Sequence, residues 1–113
     1  MMKIINVPIE SLEERYSLQW NYWFPMEFMK HNIDFITVEG KRSQSNISVG
    51  SFLDVIDTNY YKASQLEELC VLFHKGEIKD GDVIFFHDLW FPGIEMLQYI
   101  RQGLHLNFKI MGI

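Results

Sequence analysis

The residues best suited to chemistry in this 113-residue chain lie in Val83-Ile84-Phe85-Phe86-His87-Asp88-Leu89-Trp90-Phe91-Pro92-Gly93. An apolar run ends abruptly in an imidazole and a carboxylate. These groups can take a proton from a hydroxyl, hold a hydroxyl by hydrogen bonds, or accept a phosphoryl group. The same pair is also what a strand end looks like when His87 bonds a loop carbonyl and Asp88 precedes a helix. The elements around the pair have to separate these readings.

Lys3 to Val7 reads as a short buried strand, ended by Pro8. Ser11 and Glu14 fit a capping box. Tyr16, Trp20, Trp23, Phe24 and Phe28 then recur at helical spacing as a core stripe. Pro25 either kinks that helix or opens a second one. Ile33 to Val38 is the next strand, residues 40–50 are polar and loop-like, and Ser51 to Ile56 reads as a short extended piece. Asp57 or Thr58 caps a helix with the stripe Leu66, Leu69, Cys70 and Phe73, and Gly76 ends it. Lys79 to Asp82 is a turn into the strand Val83 to Phe86. Pro92 opens the next helix, Gly103 lies near its end, and Phe108 to Ile113 is a fourth strand.

Strand and helix alternate, with apolar strands. That pattern predicts a single α/β domain over residues 1–113, a Rossmann-like open parallel sheet of about four strands with flanking helices. The apolar last strand is expected to be the end of an incomplete half of a larger protein, its missing C-terminal domain following. Its open edge also suggests a homodimer paired through the sheet edge.

Open parallel sheets bind ligands outside the carboxyl ends of their strands, where strand order reverses. If the first strand neighbours both the second and the third, that point lies between strands one and three. Pro8 and Glu10, then Thr58, Asn59 and Lys62, then His87, Asp88 and Trp90 are expected to surround one crevice. The N-terminus of the helix near Thr58 favours an anion there. The plain alternative makes Trp90 and Phe91 a lid over the sheet, and Cys70 inert packing.

Composition narrows the function. The net charge is −5, and the basic residues are scattered, which argues against a nucleic-acid surface. One cysteine cannot form an internal disulfide, which, with no signal peptide, suggests a cytoplasmic setting. No apolar run approaches membrane-spanning length, so no membrane partner is expected. His31, His74, His87 and His105 show no metal-ligand spacing. The chain lacks G-x-G-x-x-G, G-x-x-x-x-G-K-[ST] and G-x-S-x-G, so no cofactor is expected.

Asp82-Val83-Ile84-Phe85-Phe86-His87-Asp88, followed by Trp90, Pro92 and Gly93, resembles the third-strand region in the N-terminal half of two-domain GT-B glycosyltransferases. Met2 to Val7 suits that family's first strand. The resemblance implies an acceptor-binding half, with His87 or Asp88 as acceptor contact or catalytic base. The nucleotide-sugar donor would be a substrate held mostly by the second domain, and this chain alone would be inactive. The chain also resembles response-regulator receiver domains. Asp88 with Pro92 four residues on matches the phospho-acceptor spacing, and Glu95 falls near that family's later acid. The acidic pair expected after strand one is replaced by Asn6-Val7-Pro8, with Glu10 the nearest acid, which implies a degenerate receiver-like module. A third class is a non-enzymatic α/β adaptor that binds protein through exposed aromatics such as Trp90.

Overall fold

The computed structural model describes residues 2–8, 23, 26–31, 33–41, 55–88 and 91–112. Four strands, β1 (Lys3–Val7), β2 (Asp34–Thr37), β3 (Val83–Phe86) and β4 (Lys109–Gly112), form one parallel sheet in the order β2-β1-β3-β4. The helices are α1 (Val55–His74) and α2 (Ile94–Leu104), and residues 26–30 are also helical. This is the α/β architecture read from the alternating pattern. β1 neighbours both β2 and β3, so strand order reverses at β1.

Side chains alternate across a strand, and the register assigns each to a face. Ile5 aligns with Ile84, and Val7 with Phe86. These four pack with Leu69 and Leu72 of α1, Leu97 of α2 and Phe108. The other face carries Asn6, aligned with Thr37 and Phe85. Phe28, in the helical segment 26–30, stacks on Phe35 of β2 with ring centroids 5.5 Å apart. Helical segments therefore cover both faces of the sheet.

Local chemistry sets the helix ends. After α1, Gly76 adopts φ 72°. Its amide donates to Phe73 O, and that of Glu77 to Leu72 O, the Schellman pattern. Lys79 to Asp82 is a turn in which Gly81 takes φ 86° and Asp82 N donates to Lys79 O. α2 ends at Leu104, so Gly103 lies near its end, as the sequence reads. Exposed His105 takes the left-handed position, with φ 52°.

Two expectations are corrected. Val55 and Ile56 belong to α1, not to an extended piece, so Asp57 and Thr58 lie in the first turn and do not cap it. Their β-branched and apolar character favours a strand locally, but a helix that buries Tyr61, Leu69 and Leu72 overrides it. Trp23 is 60% exposed and is not a core residue. Phe28, half-buried, is the aromatic of that stripe that stacks on the sheet, against Phe35. The capping box at Ser11 and Glu14, the break at Pro25, and Tyr16, Trp20 and Phe24 lie outside the described residues.

The amino edge of the sheet is held by charge. Buried Asp82 accepts from Lys3 Nζ at 2.6 Å, Lys3 N at 3.1 Å and Lys79 N at 2.8 Å. Burial alone pushes its carboxyl up, but the Lys3 side chain and these amides outweigh that and hold it below the ordinary value.

Candidate functional site

Three strand ends meet α1 at the carboxyl edge. β1 gives way to Pro8, β2 to Val38 and β3 to His87. The last ladder bonds here run from Val38 N to Asn6 O at 2.8 Å, and from His87 N to Val7 O at 3.1 Å. Beyond them the carbonyls of Pro8 and Val38 need other donors, and Gln65 of α1 supplies both. Its Nε2 donates to Pro8 O at 2.6 Å and Val38 O at 2.9 Å. Gln65 is buried, and its Oε1 has no hydrogen-bond donor among the described residues.

The segment leaving β2 also lies against α1. Lys41 N donates to Ser64 Oγ at 2.6 Å, which donates in turn to Tyr61 O at 2.7 Å. A Cβ on Gly40 would sit 2.4 Å from Tyr61 O. Only glycine permits that approach. Residues 38–41 thus run against α1 without regular secondary structure, in keeping with the loop read from Gly40 onward.

His87 and Asp88, adjacent in sequence, address different elements. His87 is fully buried. Its Nε2 lies 2.6 Å from Asn6 Oδ1 in β1. Asn6 Nδ2 donates to Thr37 Oγ1 at 3.4 Å, so Oδ1 faces the imidazole and Nε2 carries the proton. Phe85 meets the ring edge-on, with centroids 5.4 Å apart. Burial pushes the imidazole pKa down to about 4, so the ring is neutral at physiological pH.

Asp88 turns instead toward α1. Lys62 Nζ donates to Asp88 Oδ2 at 3.1 Å, and the two side chains are 8% and 36% exposed. The ammonium is almost wholly enclosed, while the carboxylate keeps contact with solvent. Lys62 and Gln65 are three residues apart, on one face of α1. Together they span the carboxyl ends of β2, β1 and β3.

Of the residues expected around the crevice, Pro8, Lys62, His87 and Asp88 lie at this edge with the contacts described. Asn59 is exposed on the second turn of α1. Thr58 lies in the first turn, and its side chain is outside the described set. Glu10 and Trp90 lie outside the described residues. Asn6, Thr37 and Gln65 were not expected as site residues. Asn6 and Gln65 carry one weak signal, a polar side chain at an otherwise apolar strand or helix position.

Among the described residues no group of three or more His, Cys, Asp or Glu side chains is placed to hold a metal ion, and no helix is long and apolar enough to cross a membrane. The fold and this edge define the chain as a parallel α/β module with a polar cluster at its strand-order switch point. Comparisons with protein-family models, with curated proteins and with solved structures find no match.

Proposed function

We propose that this chain is a ligand-binding α/β module that receives a hydroxylated acceptor at the carboxyl edge between β1 and β3. In this reading it is the acceptor side of a two-domain sugar transferase. The single observation that carries the reading is the Lys62–Asp88 pair beside the switch point, with a carboxylate open to solvent at the edge where parallel sheets receive ligands. Asp88 is the group that meets the acceptor hydroxyl, as a hydrogen-bond acceptor and as base when a donor domain is present. His87 is a positioning residue, because its Nε2 proton is committed to Asn6 within the sheet. The nucleotide-sugar donor is a substrate held by the second domain.

An array of mono-, di- and oligosaccharides probed with the chain tests this reading. Binding to a defined glycan set, lost in Asp88→Ala, supports it. No glycan binding by a folded chain removes it. The chain alone is expected not to hydrolyse nucleotide sugars, and turnover at enzyme-like rates would overturn the division of labour between two domains.

A second reading has its own observation. Trp23, Met26 and Met29 are large apolar side chains spaced three positions apart in sequence, each at a helical position, and all are exposed. A protein-binding module would use such a stripe. Acetyl phosphate with magnesium addresses the receiver-like variant, which requires incorporation at Asp88 and none in Asp88→Ala.

A further inference from the structure

We propose that Lys62 is the anchor of an oxyanion site, and that the carboxylate of Asp88 occupies this site until an external anion replaces it. The proposal deepens the acceptor-site reading and takes from it only the location of the crevice. It names the chemistry of a ligand group that the reading leaves open.

The argument rests on an asymmetry between the two partners. The Lys62 side chain is 8% exposed and that of Asp88 36%. Enclosing an ammonium to that extent is costly unless an anion faces it. The anion that faces it is the more exposed of the two partners. Asp88 lies past the end of β3, after the last ladder bond at His87 N, and its carboxylate reaches solvent. Lys62 is fixed by contrast. It sits inside α1, one turn before Gln65, whose amide ties the helix to Pro8 O and Val38 O. A fixed cation facing a replaceable carboxylate can exchange that carboxylate for another oxyanion without rearranging the sheet. The incoming group accepts the N–H that Asp88 Oδ2 now accepts at 3.1 Å. Asp88 would then be released from Lys62 and available to the acceptor hydroxyl. An intramolecular competitor acts at an effective concentration on the order of millimolar, so the intact pair masks weak anion binding.

The test is a titration of the full chain with inorganic phosphate, followed by backbone amide shifts, with sodium acetate as a parallel arm. Asp88→Asn removes the competing charge at nearly constant shape, and Asp88→Ser does so if the first variant fails to fold. Lys62→Met keeps the apolar stem and removes the anchor. The expected result is phosphate binding at least about tenfold tighter in the Asp88 variant than in the parent chain. Shifts should centre on residues 59–65 and 87–88 and vanish when Lys62→Met is added. Acetate matching phosphate assigns the site to carboxylates generally, and a preference for phosphate assigns it to phosphoryl groups. Equal affinity with and without Asp88, or a response that survives Lys62→Met, overturns the proposal. Because no sugar is used, failure here leaves the acceptor reading standing, and failure on the glycan array leaves this one standing.

Discussion

The imidazole of His87 and the side-chain amide of Asn6 meet at 2.6 Å, and both residues are fully buried. They are 81 positions apart in sequence, and they join β3 to β1 at the point where strand order reverses. Removing one partner leaves the other's polar atom unsatisfied in the interior. Asn6→Ala is therefore expected to destabilise the fold by about 2 kcal/mol. Asn6→Ala combined with His87→Leu should cost less than the sum of the two single changes. Urea unfolding of the four proteins measures this, and strict additivity would show that the bond contributes nothing.

Acid should act in two steps. His87 is held neutral, with its pKa pushed from 6.5 to about 4 by burial. The unfolded chain takes up a proton in that window and the folded chain does not. Stability is thus full above pH 6.5 and falls as pH drops toward 4, by about 3 kcal/mol from this group. Asp82 has a depressed pKa, so its contribution persists until pH falls below the ordinary carboxylate value of 3.8. Proton NMR of the His87 ring checks the first step. The expected signal does not titrate between pH 7 and 5, and a midpoint near 6.5 would contradict the buried placement.

The Lys3–Asp82 pair closes the opposite edge of the sheet. Asp82→Ala leaves an ammonium and two amides without their acceptor, at a cost of about 3 kcal/mol. Thermal denaturation at pH 7 measures it. A change within about 0.5 kcal/mol would reduce the pair to an ordinary surface contact.

Two glycine-related positions should respond with opposite signs. Gly40→Ala drives a methyl into Tyr61 O and its ring, and should destabilise by about 2 kcal/mol. His105→Gly relieves a left-handed residue at φ 52° and should stabilise by about 1 kcal/mol. Denaturant midpoints for both settle the signs.

These sites also show what the sequence made legible. β1 was readable at its limits because Ile4, Ile5 and Val7 give Lys3–Val7 an apolar character and Pro8 stops it. The carboxyl edge followed from alternation of strand and helix together with the reversal at β1. Asn6, Gln65 and the burial of Asp82 were not legible as parts of a network. Their partners lie 81, 57 and 79 residues away, and no local pattern carries that information. Val55 and Ile56 failed for a related reason, since local β preference yields to the packing of a 20-residue helix. Trp23 failed because helical spacing identifies a stripe without saying which side of it meets the sheet.

The central claim is that ligand binds at the carboxyl edge between β1 and β3, where Lys62 and Asp88 meet. Amide-shift mapping of the full chain with the best-bound glycan of the array tests it most directly. The account predicts perturbations clustered at residues 6–8, 59–65 and 87–88, and their loss in Asp88→Ala. Perturbations confined to residues 23–31 or 96–104, with the carboxyl edge silent, would contradict it.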